Sequence, residues 1–140
     1  MTRSTQNGQN GFVSLVLVSH SAAIADGLAE LVAQVAGPDV PIVAAGGGPD
    51  GSFGTDGGKI FAALQDASGG AGAVVLMDIG SAVLSVRAAL EELGPDGDSI
   101  EVADAPFVEG AIAAGVTAST GGSREEVAAA AREARGTAKL

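Results

Sequence analysis

The sequence has no cysteine, tryptophan or tyrosine, and it contains one histidine. Without cysteine, the chain offers no disulfide, no thiolate metal ligand and no cysteine nucleophile. A single histidine excludes any site that needs two imidazoles from one chain. Only 3% of the residues are aromatic, so a surface that binds bases by stacking is not expected. Seven Lys and Arg against 17 Asp and Glu give a net charge of −10, which also argues against nucleic acid, because neutralising phosphates requires cations.

The 140 residues are enough for one domain with a substantial core. Apolar residues make up 46% of the chain, too many for a disordered protein, and with few aromatics the core must consist of Val, Leu, Ile and Ala. Residues 1–11 are polar and predict a disordered lead, followed by a single domain over 12–140. The apolar run at 12–18 is too short to span a membrane and is not a signal peptide, so we expect a cytoplasmic protein.

Strand-like and helix-like segments alternate along the chain. Short runs of β-branched and other apolar residues predict strands over 13–18, 40–45, 73–77 and 99–102. A first helix is predicted to end at Gly37, and its apolar face is formed by residues at helical spacing: Ile24, Leu28, Leu31, Val32 and Val35.

Four more helices are predicted. Thr55 is the expected N-cap of the second, whose apolar side carries Ile60, Phe61 and Leu64. Gly80 and Ser81 open the third, which stops at residues 94–95 and contains Val83, Leu84, Arg87, Ala88 and Leu90. The fourth covers 107–120, and an S-x-x-E capping box at 123–126 begins a last helix that runs toward residue 135.

This alternation indicates an α/β fold, with a parallel sheet, right-handed crossovers and helices on both faces. In such sheets, chemistry takes place beyond the carboxyl ends of the strands, at the point where the strand order reverses. Three segments are expected to meet there: residues 19–21, the glycine-rich loop (residues 46–58), and residues 78–81.

The glycine-rich loop contains a formal G-x-G-x-x-G match at residues 46–51. Pro49 disrupts the turn chemistry, the match does not open a helix directly, and 22 glycines make a chance match easy. A Walker A loop is also excluded, because Ile60 follows Lys59 where Ser or Thr is required. The sequence therefore does not predict a standard nucleoside triphosphate site. The glycines of the loop either allow special backbone angles or have a functional role, and both interpretations stay open.

His20 stands between the first strand and the first helix. A histidine side chain is largely neutral at pH 7 and is then a nucleophile. The helix that follows offers free N–H groups and a partial positive charge, which would receive a phosphoryl group on the ring. We therefore interpret His20 as a phosphoryl acceptor, with a purely structural histidine as the alternative.

Asp78 allows two competing interpretations of the same loops. A Ser-His-Asp triad could combine His20 and Asp78 with Ser19, Ser21 or Ser81, although no G-x-S-x-G motif occurs. Phosphorylation of Asp78 itself would need acidic metal ligands after the first strand, where Ser19 and His20 stand instead. Asp78 either caps the next helix or orients the second imidazole nitrogen, and both remain open.

Four ordered motifs carry a family resemblance: V-S-H-S at 18–21, G-T-D at 54–56, D-I-G-S-A at 78–82 and V-E-G-A at 108–111. Over residues 12–120 the chain resembles the phosphotransfer subunits of bacterial PTS-dependent dihydroxyacetone kinases, whose N-terminal domain is similar to the mannose-type enzyme IIA domain. The resemblance implies a flavodoxin-like sheet of order 2-1-3-4 with an additional strand at its edge. It also implies phosphorylation of His20 beside Asp78, in a pocket lined by Ser19, Ser21, Thr55, Gly80 and Ser81.

The resemblance further implies a function and partners. His20 would be phosphorylated by HPr and would pass the phosphoryl group to ADP on a separate ADP-binding kinase subunit, with no metal or cofactor on this chain. We also expect a homodimer, because the segment at 99–118 looks too apolar for free exposure and the edge strand at 99–102 needs cover. Three alternatives stay open: a mannose-type sugar transport component, a non-catalytic regulatory module and a hydrolase.

Overall fold

The computed structural model describes residues 11–140, and all but Gly11 of the predicted polar lead therefore lies outside the described residues. The strands are β1 (Ser14–Ser19), β2 (Ile42–Gly46), β3 (Ala73–Met77) and β4 (Ile100–Val102). The helices are α1 (Ala22–Ala36), α2 (Gly57–Ala67), α3 (Ala82–Leu93), α4 (Phe107–Ser119) and α5 (Arg124–Glu133). Two short 3₁₀-helices, Gly94–Ser99 and Ala134–Gly136, follow α3 and α5.

The four strands form one parallel sheet in the order β2-β1-β3-β4, which confirms the predicted fold and strand order. The two central strands, β1 and β3, are buried along their whole length. Accordingly, β3 is entirely apolar, and β1 is apolar between its two terminal serines, Ser14 and Ser19. Within residues 11–140 the sheet contains these four strands, and the additional edge strand implied by the resemblance is not among them.

Helices cover both faces of the sheet, as the alternation of strands and helices predicts. Leu15, Leu17 and Leu76 belong to the core on one face, which packs against α1, α4 and α5. Val16 and Val75 belong to the core on the other face, against α2 and α3. Successive strand residues point to opposite faces, so each central strand contributes to both cores.

The predicted apolar face of α1 is partly wrong. Leu28 and Val32 are buried as expected, but Ile24, Leu31 and Val35 are about half exposed, and Ala25 takes the buried position instead. Helical periodicity locates an apolar stripe by its largest side chains. Here the helix turns smaller residues toward the sheet, because it packs closely against its neighbours.

Thr55 is not the N-cap of α2, contrary to the prediction. The cap is Asp56, whose carboxylate accepts a hydrogen bond from the Gly58 N–H at 3.1 Å. The hydroxyl of Thr55 is 2.8 Å from that of Ser85 in α3. Thr55 thus contacts another helix, and the cap lies one residue later than predicted. The capping box that opens α5 is confirmed.

The apolar character of residues 99–118 is explained only in part inside the chain. Helix α4 lies between α1 and α5 and is buried through its small residues, Gly110, Ala111, Ala114, Gly115 and Ala118. Val108 and Val116 are 48% and 42% exposed, and β4 is an edge strand of the sheet, so the homodimer stays a prediction. None of the helices described here combines the length and apolar character that crossing a membrane demands.

Two glycines in helices make a matched pair for testing this packing. A Cβ at Gly115 would lie 2.7 Å from Val32 Cγ1, whereas a Cβ at Gly27 would meet nothing within 4 Å. We expect Gly115→Ala to lower the free energy of unfolding by about 1–3 kcal/mol through overpacking. Gly27→Ala should raise it by about 0.5–1 kcal/mol through helix propensity. Urea denaturation measures both changes, and equal effects of the two substitutions would contradict the close α1–α4 contact.

Candidate functional site

The site is built on the register between the two central strands. Val18 in β1 is paired with Met77 in β3, and the Asp78 N–H donates to the Val18 carbonyl at 3.1 Å. The residues that follow β1 and β3 are therefore held side by side at the carboxyl edge of the sheet. The strand order reverses between these two neighbours, so the predicted meeting point of the loops is confirmed.

The Asp78 carboxylate accepts four hydrogen bonds from this junction. One oxygen accepts from the Ser19 hydroxyl at 2.9 Å and from the His20 N–H at 3.0 Å. The other accepts from His20 Nδ1 at 3.0 Å and from the Ile79 N–H at 2.8 Å. Such charge-assisted hydrogen bonds are stronger than bonds between neutral groups, so Asp78 fixes both the backbone and the ring of His20.

These contacts set the charge of Asp78. Burial raises the pKa of Asp78, but the hydrogen bonds from the His20 N–H, the His20 ring, the Ser19 hydroxyl and the Ile79 N–H outweigh burial and leave the pKa below its ordinary value of 3.8. The side chain is thus an anion near neutral pH and accepts the proton of Nδ1.

The tautomer of His20 follows from this contact. With its proton on Nδ1, facing Asp78, the neutral ring has a free electron pair on Nε2. The Ser81 hydroxyl lies 2.8 Å from Nε2 and donates to it. The ring is 25% exposed, and Nε2 is the ring nitrogen that bears the free electron pair.

Of the two interpretations of Asp78, the contacts support orientation of the imidazole. The N-cap of α3 is Ser81, whose side chain makes no capping hydrogen bond. Asp78 instead bonds its own neighbour, Ile79, and the two groups of His20. The alternative that Asp78 caps the following helix is therefore wrong.

The two serines beside His20 have structural contacts. Ser19 is fully buried; its hydroxyl donates to Asp78 and accepts from the Ser21 N–H at 3.0 Å. The Ser21 hydroxyl caps α1 by accepting from the Ile24 N–H at 3.3 Å. Both residues thus fix the start of α1 next to His20, and their assignment to the lining of a phosphate pocket stays a prediction.

The glycine-rich loop joins the site through its backbone. The Gly54 N–H donates to the His20 carbonyl at 2.9 Å, and the Gly47 N–H donates to the Ser19 carbonyl at 3.1 Å. A Cβ at Gly46 would lie 2.7 Å from the Ser21 carbonyl oxygen, so glycine is required where β2 meets α1. These contacts join the glycine-rich loop to residues 19–21, which Asp78 joins to residues 78–81. The loop is therefore part of the site and not only a flexible connection.

Two residues that hold this loop were missed by the sequence analysis. Lys59 Nζ donates to the Gly48 carbonyl at 2.9 Å, and Ser85 bonds Thr55. Ser85 lies four residues after Ser81, on the same side of α3, which is a signal that could have identified it. The assignment of Thr55 and Gly80 to the phosphate pocket stays a prediction; Gly80 lies in the exposed turn between Asp78 and Ser81.

The surroundings of His20 form an open surface. A cleft of about 970 Å³ lies along β2 between α1 and α2, and His20 is not among its lining residues. A cleft of about 120 Å³ adjoins Asp78, Ile79 and Gly80. Ligand pockets for small molecules usually enclose 300–1,000 Å³, and the cleft beside Asp78 is smaller than that. In the part of the chain that the structure describes, no group of three or more potential ligand residues could hold a metal.

The chain matches one family model and is similar in sequence to several known proteins. Residues 14–128 match the family EIIA-man, described as the PTS system fructose IIA component. The chain is 39% identical to a PEP-dependent dihydroxyacetone kinase phosphoryl donor subunit DhaM of Providencia stuartii, over 87% of this chain and 26% of that protein. It is 37% identical to the DhaM subunit of Escherichia coli K12, over 82% of this chain and 25% of that one.

A shorter relative matches almost end to end. The PEP-dependent dihydroxyacetone kinase 2 phosphoryl donor subunit of Listeria innocua is 38% identical over 82% of this chain and 93% of its own length. A crystal structure of a protein of unknown function superposes with a TM-score of 0.77 and 35% identity, covering 87% of this chain and 94% of that one. The chain thus spans about a quarter of two of these relatives and nearly all of the third.

The hydrogen bonds to Asp78 should appear in the dependence of stability on pH. The pKa of Asp78 in the folded protein lies below its ordinary value of 3.8. The ionised carboxylate therefore stabilises the fold above pH 3.8, and this stabilisation is lost as the pH falls through the folded-state pKa. Asp78→Asn should therefore cost about 1–3 kcal/mol at pH 6, and the difference from the unsubstituted protein should shrink toward pH 3. Urea denaturation between pH 6 and pH 3 tests this, with Asp104→Asn as an exposed control. A difference that is constant with pH would contradict the assignment.

Proposed function

The chain belongs to the EIIA-man family and, within it, to the phosphoryl donor subunits of PEP-dependent dihydroxyacetone kinases, and from this we propose that it relays a phosphoryl group through His20. Phosphorylated HPr is the donor. The acceptor is ADP bound to a separate kinase subunit, where the ATP formed phosphorylates dihydroxyacetone. The reaction runs in the cytoplasm, and this chain acts as a homodimer without a metal or cofactor.

The observation that carries the proposal is the ring orientation of His20. Asp78 holds the proton on Nδ1, which leaves the electron pair of Nε2 directed toward the surface. In the transfer, this pair forms the new N–P bond while the bond between phosphorus and the donor's nitrogen breaks. Reacting atoms must lie within about 3–3.5 Å before reaction, and the open surroundings of His20 let a protein partner approach that closely.

Ser81 changes its partner during the transfer. Its hydroxyl occupies the position in front of Nε2, 2.8 Å away, so it must rotate before phosphorus can bond to this nitrogen. After rotation it can donate to a phosphoryl oxygen. The N-terminal end of α1 adds a partial positive charge at the same place. The first N–H groups of α3 are not free donors, because Ala82 and Val83 donate to the Ile79 and Gly80 carbonyls.

Asp78 acts as a positioning residue. Phosphorylation at Nε2 leaves the ring with its proton on Nδ1, and the carboxylate stabilises any positive charge that the ring gains. The same carboxylate repels the incoming phosphoryl group. Hydrogen bonds from Ser19, Ile79 and the His20 backbone disperse its charge, and the repulsion favours release to the acceptor.

Two observations support a nucleotide bound by the partner. The chain lacks a Walker loop, and the cleft beside Asp78 has a volume of about 120 Å³, below the usual range of ligand pockets. Four further residues contribute to the pocket, either by holding its loops or by contacting the phosphoryl group: Thr55, Ser19, Ser21 and Gly80. Among family functions, the names of the relatives favour the dihydroxyacetone branch over a sugar transporter component.

A hydrolase is the second candidate, because one observation favours it. Ser81, His20 and Asp78 form a chain of hydrogen bonds of 2.8 and 3.0 Å, the arrangement of a Ser-His-Asp triad. In a hydrolase the serine would attack the substrate and His20 would take its proton. The two candidates differ in the residue that becomes covalently modified. A hydrolase would be modified at Ser81, and a phosphoryl relay at His20.

Labelled phosphoenolpyruvate with enzyme I and HPr should place label on this chain. The label should be acid-labile and base-stable, as expected for phosphohistidine, and His20→Ala should abolish it while the far-ultraviolet circular dichroism spectrum stays unchanged. The fold should survive because the ring is partly exposed and does not fill the core. Undiminished label on His20→Ala would refute the acceptor role, and label stable to acid would point to a serine.

Reconstitution tests the direction and the partners. Dihydroxyacetone phosphate should form only when this chain is added to the other components. These are the kinase subunits, HPr, enzyme I, phosphoenolpyruvate and a catalytic amount of ADP. Replacing the kinase subunits with membranes that contain a sugar permease gives the matching test of the sugar branch. Equal product formation without this chain would contradict the proposed relay.

A further inference from the structure

Ser85 makes a contact that its place in a helix does not require. It is the fourth residue of α3, it is partly buried, and its Oγ lies 2.8 Å from Oγ1 of Thr55. A serine hydroxyl in a helix can bond a carbonyl of the preceding turn, as that of Ser119 does with Val116 in α4. The Ser85 hydroxyl instead reaches out of its helix to the glycine-rich loop.

Both ends of this hydrogen bond are tied to His20. Gly54, directly before Thr55, donates its N–H to the His20 carbonyl at 2.9 Å. Ser81 lies one turn before Ser85 on the same side of α3, and its hydroxyl is 2.8 Å from His20 Nε2. The bond between Thr55 and Ser85 therefore closes a ring of contacts that begins at the His20 backbone and returns to the reactive nitrogen of its ring.

The position of the Ser81 hydroxyl depends on where α3 begins. Ser81 is exposed, and its side chain makes no capping hydrogen bond. Its backbone has helical angles, φ −66° and ψ −23°, so this residue moves with the helix. A bond that holds α3 against the glycine-rich loop therefore also holds the Ser81 hydroxyl in front of Nε2.

We propose that Ser85 is a positioning residue for the phosphoryl transfer: by bonding Thr55 it fixes α3, and with it the Ser81 hydroxyl, relative to His20. The inference rests on the proposed relay and adds a residue that acts without touching the phosphoryl group. A misplacement of about 1 Å near reacting atoms can cost on the order of a hundredfold in rate. After Ser81 rotates away from Nε2, the same placement keeps its hydroxyl within reach of a phosphoryl oxygen.

The alternative is that this hydrogen bond serves only to pack α3 beside α2. In that case its loss would lower stability and leave the chemistry of the folded protein unchanged. The two helices already share a buried apolar core that includes Ile60, Leu64 and Val86, so their packing does not depend on a pair of hydroxyls. The experiment must therefore separate an effect on the rate from an effect on stability.

The chain offers matched variants for this test. Ser85→Ala removes one hydroxyl of the pair, Thr55→Val removes the other at nearly constant volume, and Thr55→Ser retains it. Ser119→Ala is the control, because Ser119 is also a helix serine and its hydroxyl bonds a carbonyl of its own helix. Circular dichroism and urea denaturation establish that every variant folds and measure its stability.

Single-turnover phosphorylation of His20 by phosphorylated HPr gives the rate at saturation and the half-saturating concentration. Ser85→Ala should lower the rate about three- to tenfold, as expected for the loss of one hydrogen bond. The half-saturating concentration should stay within about twofold, because a positioning defect acts on the chemical step. Thr55→Ser should retain most of the rate, and Ser119→Ala should match the unsubstituted protein.

A small donor separates positioning from docking. In phosphoramidate the P–N bond breaks while phosphorus bonds to Nε2, and ammonia leaves. Since this donor has no protein surface to dock, Ser85→Ala should slow its reaction by the same factor as the reaction with phosphorylated HPr. Slowing with phosphorylated HPr alone would assign Ser85 to docking and overturn the inference.

Combined variants identify the residues through which Ser85 acts. When Ser85→Ala is added to Thr55→Val, the rate should fall no further, because the hydrogen bond is already lost. When it is added to Ser81→Ala, the rate should again stay unchanged, because the hydroxyl to be positioned is absent. The loss of stability caused by Ser85→Ala should be the same with and without Ser81→Ala.

The outcomes distinguish the failure of each idea. An unchanged rate in Ser85→Ala refutes the positioning role, and so does an equal loss of rate in Ser119→Ala. A full additional loss of rate in either combined variant shows that Ser85 does not act through that residue and also overturns the inference. If neither donor phosphorylates His20 in the unsubstituted protein, the proposed relay itself fails, and the inference fails with it.

Discussion

The hydrogen bonds of the Asp78 carboxylate hold together everything that gives His20 its chemistry. The pairing of β1 with β3 brings the two residues to the same edge of the sheet. Four donors then satisfy the carboxylate, and two of them belong to His20. Because one anion binds both the backbone and the ring, the imidazole has a single orientation, and its reactive nitrogen is determined by the strand register.

Small residues make this arrangement compatible with a core of few aromatic side chains. Gly46 lets the end of β2 approach the start of α1, and Gly115 lets α4 approach Val32 of α1. Close contacts between backbones replace the volume that aromatic rings provide in other cores. They also bring the glycine-rich loop near enough for its Gly54 N–H to reach the His20 carbonyl. The abundance of glycine is thus a condition of the site and not a sign of disorder.

Contacts that follow from the order of the elements could be predicted from the sequence. The alternation of strands and helices placed His20 and Asp78 at one edge, because parallel strands end together. The cap of α2 and the exposed side of α1 could not be predicted in this way. Thr55 bonds Ser85 across the site, and Ala25 takes a buried position where Ile24 was expected. Both depend on the distance between packed helices, which periodicity in one helix does not contain.

In the proposed relay, specificity depends on the surfaces of the proteins that meet at His20, whose ring is 25% exposed. Nε2 is masked by a single hydroxyl, that of Ser81, and a rotation about one side-chain bond uncovers it. Such a site contributes little binding energy toward a small phosphorylated metabolite, because only a few groups can touch it. A protein donor gains affinity over a wide area and positions phosphorus at Nε2 within the same encounter. The shallow surface around His20 therefore favours exchange between proteins over reactions with small molecules in solution.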